Sequence, residues 1–82
     1  MKATIYPMVG EPYTADVSGL RRMQEIVGGL IEVVYGTREV IIVDEEGLCK
    51  GKEINIGLSE RAGQPLVGTG FVVSTEDWDA QN

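Results

Sequence analysis

The stretch Leu30-Ile31-Glu32-Val33-Val34-Tyr35-Gly36-Thr37-Arg38-Glu39-Val40-Ile41-Ile42-Val43 decides the fold. Two runs rich in β-branched residues flank a short connection containing glycine, which is the grammar of a β-hairpin. Glu32 interrupts the first run, so that strand has one wet face. Val40 to Val43 is continuously apolar, which predicts a central strand covered on both faces or one whose second face awaits a partner subunit.

Working toward the N-terminus, Gly28-Gly29 stops whatever precedes the hairpin, because glycine accepts a left-handed helix cap without a Cβ clash. Leu20, Met23 and Val27, with Ile26 at the border, form an apolar stripe at helical spacing. A helix is therefore expected from about Gly19 to Val27, with Ser18 as its N-cap. Such a helix is too short to stand alone and must pack on a sheet. Lys2 to Tyr6 alternates with the period of a strand. Gly10-Glu11-Pro12 reads as a turn, and Tyr13 to Val17 as its hairpin partner.

Toward the C-terminus, Asp44-Glu45-Glu46-Gly47 reads as a solvated acidic turn. Leu48 to Lys52 is irregular or a short strand, and Ile54 to Ala62 a short helical turn weakened by glycine. Leu66 to Ser74 is the last strand, broken at Gly68-Thr69-Gly70 by a bulge or a close backbone approach. Phe71 and Tyr35 are expected in the core. The expected fold is α+β: a small antiparallel or mixed sheet of about five strands with one main helix on a face. Residues 1–74 form one domain, and residues 75–82 a polar, acidic, frayed tail.

Composition narrows the function. The chain has 82 residues, seven basic and thirteen acidic, and no histidine, for a net charge of −6. Dispersed cations on an acidic chain disfavour nucleic acid and anionic membranes. Moderate acidity leaves imitation of DNA, aimed at a DNA-binding enzyme, as a minor alternative. Cys49 is the single cysteine, so neither an internal disulfide nor a structural zinc site is expected, and a reduced cytoplasmic setting is. Without histidine, Cys49 and the serines lack an activating base. Cys49 reads as a buried or partly buried, inert thiol. No catalytic residue, metal site or cofactor is expected.

The segments Val27-Gly28-Gly29-Leu30-Ile31-Glu32-Val33-Val34-Tyr35, Ile42-Val43-Asp44-Glu45-Glu46-Gly47, Asn55 and Leu66-Val67-Gly68-Thr69-Gly70-Phe71-Val72-Val73 resemble a small domain-of-unknown-function family. That family is common in bacteriophages and other mobile elements, and some relatives sit beside anti-restriction domains. The resemblance spans about residues 17–74. Residues 57–64 depart from it, since glycine stands in a stretch expected to be more helical. It implies a phage or plasmid protein acting in a bacterial cytoplasm, and it brings no catalytic residues.

The leading expectation is therefore a non-enzymatic module that modulates a bacterial host protein or defence system by binding it. Its candidate contact residues are Asp44, Glu45, Glu46, Asp77, Trp78 and Asp79. Trp78 either folds back to cap the sheet or serves as a docking anchor, since tryptophan is a common interface anchor, and acids speed encounter with a basic partner. The alternative is a module that sequesters a small nucleotide-like ligand through Arg21, Arg22, Gly68, Thr69 and Gly70, because glycine steps expose backbone N–H groups to anions. A homodimer or larger homo-oligomer suits the apolar strand and free sheet edges.

Overall fold

The computed structural model describes residues 1–81. Eight elements follow in chain order: β1 (Lys2–Tyr6), β2 (Tyr13–Asp16), α1 (Leu20–Val27), β3 (Ile31–Tyr35), β4 (Glu39–Asp44), α2 (Ile56–Ala62), β5 (Gly70–Ser74) and α3 (Thr75–Gln81). The five strands form one sheet in the order β2-β1-β5-β4-β3, and every neighbouring pair is antiparallel. The fold is α+β, with helices on both faces of the sheet.

The two-residue period of each strand sorts its side chains between the faces. Ala3, Ile5, Val40, Ile42, Phe71 and Val73 point to one face. There they meet Val17, Val27 of α1 and Trp78 of α3. Ile41, Val43 and Val72 point to the other, against Leu58 of α2 and Leu66. The continuous apolar run of β4 is thus explained by two buried faces, as the sequence predicts. Tight seating of α2 demands Gly70. A Cβ there would stand 2.6 Å from Leu58 Cδ2 and 2.7 Å from the Ile42 carbonyl oxygen. The break at Gly68-Thr69-Gly70 is therefore a close backbone approach, preceded by Gly68 at φ +75°.

Several details differ from expectation. Gly19, not Ser18, occupies the N-cap of α1, and no side chain caps it. Leu20 is exposed, while Met23 and Ile26 carry the stripe with Val27. Gly28 does provide the left-handed C-cap. The short helical segment expected over Ile54 to Ala62 is present as α2, where Asn55 caps it and Gly57 lies at its exposed first turn. Residues 75–81 form α3 where a frayed tail is expected; Asn82 lies outside the described residues. Its register brings Trp78 onto Phe71 and Val73, so one large apolar side chain anchors an otherwise polar helix. Tyr35 is 70% exposed rather than core, because it ends an edge strand. Cys49 is exposed on the turn after β4.

Candidate functional site

Asp44 ends β4 with its side chain on the α1 face, where it is 1% exposed. A carboxylate there must be compensated. Lys50 Nζ lies 2.8 Å and Lys52 Nζ 2.7 Å from Asp44 Oδ2, and the Glu46 backbone N–H donates to Oδ1 at 2.8 Å. The ammonium groups of Lys50 and Lys52 hold the carboxyl well below the ordinary range, against the opposing effect of burial. The same lysines donate to the last carbonyls of α1: Lys50 to Gly28 O at 3.0 Å and Lys52 to Val27 O at 2.7 Å. Helix ends leave such carbonyls unsatisfied, and cations there also complement the helix dipole. Gly29 lies against this cluster: a Cβ would come within 2.5 Å of Lys50 Nζ and 2.9 Å of Asp44 Oδ1, so a larger residue would push the ion pair aside.

Asp44 is therefore an internal fastener, not an exposed contact residue as the sequence reading has it. Glu45 and Glu46 are exposed on the following turn. Trp78 is 8% exposed and belongs to the core, so it is not a docking anchor. Asp77 is half-buried and Asp79 exposed on α3. These acids do not form one surface with Glu45 and Glu46. The register Glu39↔Ser74 puts α3 at the Glu39 end of β4, about 17 Å along the strand from Asp44.

The ligand-binding candidates are also dispersed. Gly68 and Thr69 line a cleft of about 430 Å³ with Met8, Ile26 and Lys52. Neither Arg21 nor Arg22 lines it, and Arg22 pairs with Glu25 on its own helix at 3.4 Å. Gly70 is buried beneath α2. The cation at this cleft, Lys52, is already committed to Asp44 and Val27.

A larger cleft of about 490 Å³ lies between the Gly36–Glu39 turn and α2. Its Arg61 is neutralised by a two-pronged pair with Glu39, with Nε 3.1 Å from Oε2 and Nη2 bonded to Oε1. Arg61 Nη1 donates to the Tyr6 hydroxyl at 2.8 Å. These bonds lower the Glu39 carboxyl and raise the Arg61 guanidinium further above its ordinary value. The cluster ties α2 to β4 and β1 and commits the Arg61 charge, while Arg38 lines the opposite wall of the cleft.

Composition does not single out the feature that stays open. On the α2 face, beyond the end of β4, a groove of about 260 Å³ runs between the acidic turn and residues 64–67. Leu48 and Ile54 line it and are 80% and 56% exposed. Val43 and Leu66 form part of its lining, and Glu32 and Glu45 stand on its rim. Among the described residues lining it, none is basic. Sequence reasoning finds Glu45 and misses Leu48 and Ile54, because both sit in segments without periodicity. The available signal is two large aliphatic residues within otherwise polar loops.

Among the described residues, no group of three or more His, Cys, Asp or Glu converges as metal ligands would. Among the described residues, no helix is long and apolar enough to cross a membrane. No curated protein and no solved structure matches the chain. The family model described as DUF3846, a domain of unknown function, matches residues 1–81, so the chain belongs to that family.

Proposed function

We propose that this chain is a non-enzymatic, cytoplasmic interaction module of phage or mobile-element origin that binds a bacterial host protein. The groove lined by Leu48 and Ile54 carries this reading. Large aliphatic side chains held at a concave surface favour an apolar anchor from a partner. The carboxylates of Glu32 and Glu45 favour basic residues beside that anchor, and the net charge of −6 speeds encounter with a basic surface. The partner segment is thus one aliphatic or aromatic residue flanked by lysine or arginine. The absence of histidine and of a nucleophile with an activating base supports a binding role over catalysis.

The test begins with native mass spectrometry of the protein in bacterial lysate and continues with the captured partner. Leu48→Asp and Ile54→Asp are expected to weaken binding roughly tenfold or more. Glu32→Lys with Glu45→Lys is expected to slow association and reduce its salt dependence. Both residues changed to Asp are exposed, so Tm should hardly move. Undiminished binding by the Leu48 and Ile54 variants would sink the reading.

A further inference from the structure

The geometry points to a second copy of this chain as the occupant of the β3 edge, pairing β3 to β3 in a two-fold antiparallel register centred on Val33. This inference is independent of the groove.

The backbone directions on β3 follow from two backbone hydrogen bonds and the register. Glu45 N–H donates to Leu30 O at 2.8 Å, and Gly36 N–H donates to Glu39 O at 2.8 Å. Between them the partners run from Ile31↔Asp44 to Tyr35↔Val40. In an antiparallel pair, alternate residues bond to the neighbouring strand. Leu30, Glu32, Val34 and Gly36 therefore face β4. The N–H and C=O groups of Ile31, Val33 and Tyr35 face outward, where β3 is the last strand of the sheet.

The two edges of the sheet are not equivalent. β2 is four residues long, follows Pro12 and directs only Thr14 and Asp16 outward within the strand. β3 has five residues, contains neither proline nor lysine and carries Glu32 as its sole charge. Proline, lysine and other charged side chains keep edges from pairing; β3 has neither proline nor lysine, and its one charge, Glu32, is the device a pairing register must accommodate.

The register is self-selecting. With Val33 opposite Val33 of the second copy, Ile31 lies opposite Tyr35 at both ends. Three residue pairs then exchange two hydrogen bonds each, and every outward group of the strand is satisfied. Tyr35, 70% exposed in one copy, comes to rest beside the other copy's Ile31, a favoured aromatic with β-branched pairing. Glu32 faces Val34, and the two Glu32 carboxylates are diagonal rather than opposed. Sliding two residues one way puts Glu32 against Glu32, a like-charge pair. Sliding two residues the other way carries Ile31 past the partner strand. The centred register alone avoids both penalties. It makes a ten-stranded sheet whose two-fold axis is normal to its plane, so both α2 faces lie on one side.

Sedimentation equilibrium and amide exchange test this together. The runs use ionic strength high enough to screen two copies of charge −6, over concentrations reaching the millimolar range. The mass is expected to rise from 8.9 kDa to twice that value. Exchange of the Ile31, Val33 and Tyr35 amides should slow with concentration, while that of Glu32 and Val34 stays constant. Tyr35→Pro removes an outward N–H and an exposed ring without touching the bonds to β4, and should return the mass to 8.9 kDa. A monomer throughout, an oligomer that survives Tyr35→Pro, or concentration-independent exchange at the three amides would each overturn the inference.

Discussion

Asp44 and its two lysines carry more of the fold than their position in an acidic turn suggests. One carboxylate holds the end of β4, the following turn and the last carbonyls of α1 through Lys50, Lys52 and the Glu46 amide. Removing the Asp44 charge leaves two partly exposed ammonium groups without their counter-charge. Losing charge-assisted bonds to a buried carboxylate whose cations stay partly exposed costs about 1.5–3 kcal/mol. Asp44→Asn is therefore expected to lower Tm by on the order of 10–20 °C for a domain of this size, measured by calorimetry. The pH dependence has a definite sign. A carboxyl held lower in the folded chain than its ordinary 3.8 stabilises the fold fully above that value. The contribution is lost as pH falls below 3.8 toward the lower folded value. Acid titration should show the wild-type chain losing stability through that window more steeply than Asp44→Asn. Parallel curves would contradict this account.

Asn55 plays the corresponding part for an element. Its Oδ1 accepts from the Leu58 N–H at 3.1 Å and so caps α2. Its Nδ2 donates to Tyr6 O at 2.8 Å and Gly68 O at 3.0 Å, fixing the helix to β1 and to the strand approach. Ser59 adds a second tie, donating to Leu66 O and accepting from Leu66 N–H. Cap and tie can be separated. Asn55→Asp keeps an acceptor for Leu58 and turns the donor into a carboxylate facing two carbonyl oxygens. If the cap dominated, the change would be nearly neutral. Because the buried donor matters more, Asn55→Asp is expected to cost at least as much as Asn55→Ala, about 2–3 kcal/mol by urea denaturation. The order of elements through the hairpin, and α1 itself, was legible because each has a clean period and a glycine stop. The identity of α2 was less so, since its helix depends on one asparagine whose partners lie 49 and 13 residues away. The acidic turn misled for a similar reason: nothing in Asp44-Glu45-Glu46 says which carboxylate turns inward until β4 fixes the parity. The groove at Leu48 and Ile54 has no periodicity to mark it, only two large aliphatic residues in otherwise polar loops.

At the scale of the whole molecule, a domain of 82 residues has little apolar area in reserve, so a single anchored segment matters. The last seven described residues supply one core side chain, Trp78, which packs with Phe71, Val73 and Val40 over one face of the sheet. The rest of α3 is polar, and the Asp77 N–H is received by Ser74 Oγ at 3.0 Å, a turn-starting bond of small net value. Sequence patterning points to a frayed tail because five of those seven residues are polar. Burial of the Trp78 side chain, together with the backbone hydrogen bonds of the helix, offsets the entropy of ordering two helical turns. Truncating a Trp from a core costs about 3–5 kcal/mol, a large share of the total stability of roughly 4–12 kcal/mol expected at this length. Ending the chain at Ser74 is therefore expected to leave a substantially unfolded population, seen as lost near-ultraviolet dichroism and fast amide exchange in β5. In the full chain, the single Trp78 should emit at short wavelength and shift red in the same transition that circular dichroism reports. A truncated chain as stable as the full one, or a Trp78 emission already at the solvent-exposed position under native conditions, would mean that the sheet closes without α3.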